Sequence, residues 1–513
     1  MSIAPHVPVL AIAVPLLGAF ALPVLAKVHR SLRDGWALAT GAFAVAMAVT
    51  LAIEVFTGGP VVYTLGASSP TQTLTEGGFP IRIVLVVDGM GAFMALISAL
   101  VGLASLIYVL GYLKESQGKT LAMSLFFLLW AGMLGMELTG DMFNFFVFLE
   151  IASIAACALI GYRVWEARPA EAAFKTMTMY TLGGLLVLLA VGVLYGEYGA
   201  LNMAYLAANI SGTPLDGVAL ALLLGGLLMK AGAVPAHMWA PDAYGEAPAQ
   251  AAIVLVAGTQ ASLYGLFRVL FTLYGGALSA PAVGWLVTAL GMLTVLVAVL
   301  RAVVQTDLTR LIAYGAVSQV GYMLLGVGVG LTTLATRPDF GLVAVRGGIF
   351  HMVNDAACIG LLFLAAGAVH RAAGTKDLQA LGGLGHDLKW TSGFFLLGAL
   401  ALAGIPPFNG FASKLMIYES SFRLSPMLTV LAVLASILLL AVFLRAFQGA
   451  FLGPRLTSVR PAPVSMLVAM GVLAAIVVAF GLLPDFFVQH LVAPAADALW
   501  KGRDVYLAAV LGG

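Results

Sequence analysis

Apolar residues in this chain come in long runs rather than in strict alternation. Bounded by Gly, Pro and charged residues, the runs cover 7–27, 36–56, 89–113, 120–138, 142–162, 172–195, 217–234, 252–275, 281–303, 310–332, 341–370, 391–424, 427–452 and 463–485. A helix needs roughly 20 apolar residues to cross hydrocarbon, so the pattern predicts about fourteen membrane-spanning helices. The run 341–370 is long enough to contain a break or to end outside the membrane. Pro406 and Pro407 interrupt 391–424, which reads as two half-helices. Residues 57–85 are polar and strand-like. There Val61, Val62 and Tyr63 face Ile81, Arg82, Ile83 and Val84, which predicts a small hairpin outside the membrane.

Composition closes off the soluble alternatives. Of 513 residues, 62% are hydrophobic and only 9% are charged, and the mean hydropathy is +1.05. Soluble domains carry about 25% charged residues, so this chain cannot cover a globule with polar surface. It reads as an all-α integral membrane protein with short loops. The net charge of +2 is spread without any Lys/Arg run, which argues against nucleic acid as a partner. Cys157 and Cys358 both lie in apolar segments and suggest neither a disulfide framework nor a metal or cluster site. No phosphate-binding GxxxxGK[ST] string is present. Gly326, Gly328 and Gly330 sit in an apolar stretch where close helix packing is the expected role. The reading is therefore of a protein without cofactor or metal, whose driving energy comes from a gradient or a partner.

Charge also orients the chain. No basic residue precedes the first span, and Lys27, Arg30 and Arg33 follow it, so no cleavable signal peptide is expected. With the N-terminus outside, sixteen Lys and Arg residues fall inside, among them Arg163, Lys175, Arg310, Arg371, Lys376 and Lys389. Six fall outside: Arg82, Arg337, Arg346, Arg423, Lys501 and Arg503. This satisfies the positive-inside rule and predicts both termini on the outer side of the cell's plasma membrane.

Three charges stand where lipid tolerates them least. Glu150 lies mid-span after Met142, and an ionised side chain there costs at least ~2.5 kcal/mol. Lys230 stands five residues before Pro235, and Lys414 follows the Pro406–Pro407 break. A lysine beside a carboxylate holds its proton and one apart from it releases it. The three together suggest a proton relay; structural hydrogen bonding for Glu150 and an interfacial position for the lysines are the competing readings. Two broken helices in two halves, with the lysine before the break in one and after it in the other, hint at an internal repeat with an ion site. His237 lies in the proline-laced stretch after Pro235. His351 precedes Asp355 by one helical turn, a spacing that lets the two share a proton or a packed hydrogen bond. Arg268 is read as snorkelling from a span's end, and Asp307 with Arg310 as a local ion pair.

Four segments carry a resemblance: TGDMFNFFVFLE from Thr139 to Glu150, KAGAVPAHMWAPDAY from Lys230 to Tyr244, DLTRLIAYGAVSQVGY from Asp307 to Tyr322, and AGIPPFNGF from Ala403 to Phe411. In this order they resemble the antiporter-like membrane subunits. That family includes the D subunit of Mrp-type cation/proton antiporters and the proton-pumping membrane subunits of complex I (NADH:quinone oxidoreductase) and of membrane-bound hydrogenases. The resemblance implies fourteen helices, two inverted five-helix repeats, broken helices seven and twelve, and protonatable residues along the membrane midplane. Glu150 falls on the family's glutamate of helix five, Lys230 on the lysine of helix seven, and Lys414 on the charged residue of helix twelve.

Two positions depart from many relatives. Gln260, four residues before Tyr264-Gly-Leu-Phe-Arg268, replaces a lysine on the relay route. In helix eleven the pattern His-x-x-x-His-Ala-x-x-Lys becomes His351, Asp355 and Ile359. The implied organisation is 1–115 for helices one to three with the outer hairpin, 116–278 and 279–453 for the two repeats, and 454–513 for the last helix and tail. The tail is expected to lack the long lateral helix of the largest complex I paralogue. The expected function is a proton-translocating, Mrp D-like member of a multisubunit membrane antiporter, exchanging protons with Na+ or K+. A pumping subunit of a complex I-like or hydrogenase-like assembly, and a non-conducting structural paralogue, are the alternatives. Partners are other membrane subunits and the lipid bilayer.

Overall fold

A computed structural model describes residues 6–66, 83–113, 118–163, 166–455 and 458–512. The chain is built almost wholly of helices, because a backbone in hydrocarbon must satisfy its own N–H and C=O groups. In order they are α1 (Val7–Val28), α2 (Arg30–Gly58), α3 (Gly89–Tyr112), α4 (Lys119–Leu138), α5 (Met142–Ile160), α6 (Ala167–Tyr198), the short α7 (Met203–Asn209), α8 (Pro214–Lys230), α9 (Trp239–Glu246) and α10 (Ala249–Arg268). There follow α11 (Ala280–Val303), α12 (Leu308–Thr333), α13 (Pro338–Ala373), α14 (Lys389–Ala403), α15 (Asn409–Leu424), α16 (Pro426–Phe451), α17 (Val464–Leu482), and the short α18 (Pro484–Phe487), α19 (Ala493–Trp500) and α20 (Arg503–Leu511). Among the described residues, twelve helices are long and apolar enough to cross a membrane. The run 341–370 contains no break: α13 is one continuous helix of 36 residues.

The predicted hairpin is met in part. Strand β1 (Val61–Thr64) pairs antiparallel with β2 (Val84–Val87), Val61 opposite Val87 and Tyr63 opposite Leu85. The second strand thus lies at 84–87 rather than 81–84, and residues 67–82 fall outside the described residues. The reason is the packing of β2, which is buried throughout. Val84 accepts a bond from the Gly140 N–H at 2.8 Å, and the strand runs directly into Asp88, whose carboxylate caps α3.

Helices α10, α12 and α13 form the interior, enclosed by their neighbours. Glycines set how closely they approach. A Cβ on Gly328 would sit 2.5 Å from Thr288 N of α11, and one on Gly326 would sit 2.9 Å from Gly348 of α13. The glycine run expected to serve packing does so on two sides of α12.

Both interrupted helices end alike. After α8, Gly232 takes φ +68°, its N–H donates to Met229 O, and the Ala233 N–H reaches back to Leu228 O. After α14, Gly404 takes φ +84°, its N–H donates to Ala401 O, and the Ile405 N–H reaches Leu400 O. Each is a Schellman closure, which needs a left-handed residue that glycine supplies without steric cost. The prolines follow at 235 and at 406–407, with cis Val234–Pro235 and Pro406–Pro407 bonds. Outside the spans, the Val459 N–H and then the Arg455 guanidinium hold the Asp387 carboxyl below its ordinary range, joining the α13–α14 loop to the segment after α16.

Candidate proton-relay site

Lys230 ends α8 immediately before its break, so its ammonium sits at the negative end of a half-helix. Nζ donates to Glu150 Oε1 at 2.7 Å and to Ser153 Oγ at 2.6 Å, both on α5, and lies 5.1 Å from the Tyr180 ring centre. The Ser153 hydroxyl in turn donates to Leu149 O at 2.6 Å. Glu150 also borders a cavity of about 620 Å³, lined chiefly by apolar side chains such as Leu125, Phe174 and Met177. On α6, Gly183 and Gly184 leave room for the pair. A Cβ on Gly184 would overlap Glu150 Oε1, and one on Gly183 would lie 3.1 Å from Lys230 Cγ.

Lys414 reaches across the second break. It donates to Leu402 O at 2.7 Å, a carbonyl left free in the last turn of α14, and to Ser436 Oγ of α16 at 3.0 Å. The ammonium stands 4.3 Å from the centre of the Tyr322 ring. Among the described residues no carboxylate lies within 4 Å of it, so Lys414 is held by dipoles and a π face alone.

Between the two lysines the arrangement differs from the expected His351–Asp355 pair. Asp355 Oδ2 accepts from Gln260 Nε2 of α10 at 2.9 Å. His351 instead bonds Gln319 Oε1 of α12 at 3.0 Å and Ser413 Oγ of α15 at 2.9 Å. One turn apart on a helix, the two residues share a general direction, but neighbouring helices supply better partners for each. Asp355 Oδ1 and Gln260 Oε1 remain buried without a protein partner.

Residues 139–439 match the family of NADH:quinone oxidoreductase and Mrp antiporter transmembrane subunits. The chain belongs to that family. The N subunit of the NADH-quinone oxidoreductase of Desulforudis audaxviator is 33% identical over 516 residues, covering 95% of this chain and 98% of the relative. The A subunit of the Na(+)/H(+) antiporter of Alkalihalophilus pseudofirmus is 29% identical over 519 residues; there the match spans 94% of this chain but 62% of the relative. In solved structures, a chain of the archaeal membrane-bound sulfane sulfur reductase superimposes with a TM-score of 0.88 at 29% identity, covering 98% of this chain and 99% of that one. The family's matched segment contains the glutamate, both lysines, both proline breaks and the Gln260–Asp355 contact.

Other residues of this family member fall elsewhere than expected. His237 is buried beside the first break with both ring nitrogens unpartnered, and no bond joins it to Lys230. Arg268 does not snorkel: it is buried and holds Asp88 through two bonds of 2.6 Å, under the Tyr264 and Tyr506 rings. Arg310 pairs with Asp242 at 2.8 Å rather than with Asp307, whose carboxylate instead caps α12 through the Arg310 N–H. Sequence reasoning passed over Glu137. It is wholly buried on α4, accepts from Ser98 Oγ at 2.6 Å, and keeps Oε2 unpartnered. Its one signal was a carboxylate inside the run 120–138, muted by the polar Thr139-Gly-Asp that follows.

Proposed function

We propose that this chain is a proton-conducting membrane component of a multisubunit ion-translocating complex. The observation that carries the reading is the 2.7 Å Lys230–Glu150 bond at a helix break, with Asp355 and Lys414 continuing a file of buried ionisable groups. When the pair is closed, Lys230 keeps its proton; when it opens, desolvation favours the neutral amine and the proton moves on. Gln260 cannot carry a proton, but its amide holds Asp355, whose free Oδ1 supplies an acceptor at the junction of the two halves. His351 and Ser413 lead from there to the α15 turn that bears Lys414.

In the first form of this reading the protein is Mrp D-like and couples proton movement to Na+ or K+ in the plasma membrane. A second form, a pumping component of a redox-driven complex, is supported by similarity: the oxidoreductase N subunit is 33% identical over 95% of this chain. The test is shared. In the assembled complex, Glu150→Gln and Lys230→Ala should each reduce proton movement at least ~10-fold while subunits still co-purify. Full activity in both variants would mean a non-conducting scaffold. Dependence of the lost activity on added Na+ or K+, against dependence on an electron donor, separates the two forms.

A further inference from the structure

On the face that charge bias assigns to the inside, the ends of α3, α5, α10 and α13 leave a cavity of about 210 Å³ between them. A water molecule takes up ~30 Å³ of liquid, so the space admits a polyatomic ion. Its wall is basic. Arg163 stands just past α5, His370 and Arg371 in the last turn of α13, and Lys376 in the loop that follows. Among the described residues no Asp or Glu lines it. Pro248 and Ala249 also border the space, so the positive end of α10 adds to the same field.

Carboxylates behind the wall offset part of this charge and leave a surplus. Glu166 meets Arg163 at 3.0 Å, and Glu246 meets Lys376 at 3.4 Å. Asp307 caps α12 and accepts from the Thr309 hydroxyl at 2.7 Å. Arg371 and His370 make no hydrogen bond or ion pair among the described residues. Arg163 Nε is buried with no acceptor, although Nη2 donates to Glu246 O at 2.7 Å. Buried N–H groups nearly always have an acceptor, and an oxyanion beside Arg163 would supply one. A second polar cleft on this face, of about 390 Å³, behaves differently. Its wall holds four carboxylates against three cations, and two of those cations, Lys175 and Arg310, are engaged by Asp242. That cleft neutralises itself; the smaller cavity does not.

We infer that the smaller cavity is a binding site for a phosphate group, carried by an anionic phospholipid headgroup or present as the free ion. The Arg163 and Arg371 guanidinium groups each offer a planar fork that fits two phosphate oxygens, and Lys376 adds a point charge. Basic pockets between spans on the cytoplasmic side suit lipid phosphates in particular. A phosphate held by Arg163 and Arg371 clamps the inner end of α5 to that of α13, the helices that carry Glu150 and Asp355. Binding there requires no proton movement, so the site stands or falls apart from the relay.

The test uses the assembled complex in nanodiscs. In discs of phosphatidylcholine alone, inorganic phosphate is titrated by calorimetry at an ionic strength held constant with chloride. In discs that also contain phosphatidylglycerol, the lipid that stays with the complex on transfer to detergent is measured by mass spectrometry. Arg371→Gln removes an exposed cation that holds no other residue, so the fold is unaffected. Arg168→Gln removes an exposed cation from the second cleft and serves as the control. The site is the part of the binding that Arg371→Gln weakens at least ~10-fold and Arg168→Gln leaves intact. Such a loss in retained phosphatidylglycerol assigns the phosphate to lipid. The same loss in titrated phosphate, without lipid retention, assigns it to the free ion. Binding of both probes that Arg371→Gln leaves at the wild-type level would overturn the site. Equal weakening by Arg371→Gln and Arg168→Gln would overturn it too, since that marks general attraction to a basic face.

Discussion

Lys230 and Glu150 are unequally covered: the lysine side chain is 1% exposed and the glutamate 27%. The carboxylate of α5 therefore borders the apolar cavity while the amine of α8 is sealed behind it, and they touch in the gap left by the α6 glycines. Gly184 controls that gap. Gly184→Ala places a methyl group against Glu150 Oε1, and because that atom ends a flexible side chain, the carboxylate rather than the backbone gives way. The variant should fold and assemble yet lose proton movement by roughly ten-fold. Gly192→Ala, on the same helix with nothing within 4 Å of the added Cβ, should be silent. Equal behaviour of the two alanines would show that closeness at position 184 is irrelevant. That Glu150 and the two lysines would be held by partners was legible in sequence, because lipid makes an unpartnered charge costly. The partners of His351 and Asp355 were not. Spacing along one helix reports a shared face, whereas Gln319, Ser413 and Gln260 arrive from three other helices. Glu137 was hidden differently, at the edge of its run, where a charge is unremarkable.

At the scale of elements, the two breaks were readable from proline, and their closure from the glycines that precede it. What proline could not convey is the use each break makes of its last-turn carbonyls: Met229 O, which already accepts from Gly232, also takes the Trp239 Nε1–H at 3.0 Å, and Leu402 O takes Lys414. The Asp88–Arg268 pair shows how little a span-end position says about burial. Arg268 closes α10, Asp88 caps α3, and Tyr506 of α20 covers the guanidinium. Removing one partner of such a pair strands a buried charge and typically costs about 3–5 kcal/mol. Arg268→Ala should therefore lower the thermal unfolding temperature sharply, and Asp88→Leu combined with Arg268→Met should recover much of the loss. The readout is melting in detergent, with no change expected in the Lys230–Glu150 contact. A double variant as unstable as Arg268→Ala would assign the loss to packing of the arginine stem rather than to the stranded carboxylate.

Across the whole molecule, several ion pairs and charged hydrogen bonds that join separate elements fall into two sets. In one, Lys175 and Arg310 share Asp242, at 3.0 and 2.8 Å, and Lys376 meets Glu246 at 3.4 Å, joining α6, α9, α12 and the loop after α13. In the other, Arg268 holds Asp88, Arg346 meets Asp497 at 3.1 Å, and Arg503 donates to Ala207 O at 2.6 Å, joining α3, α10, α13 and the C-terminal short helices. Lys175, Arg310 and Lys376 of the first set are residues that charge bias assigns to the inside, Arg346 and Arg503 of the second are residues it assigns to the outside, and no bond connects one set to the other among the described residues. A single test of topology follows. Both native cysteines are buried, so an impermeant maleimide meets little background. Cysteines at the exposed positions Glu171 and Lys389 should label in inside-out vesicles, and cysteines at Arg423 and Asp504 in right-side-out vesicles. A complete reversal would turn the protein over in the membrane. Labelling of Glu171 and Asp504 positions from one side would break the two-face arrangement itself, and with it the separation of aqueous compartments that any relay between Lys230 and Lys414 must bridge.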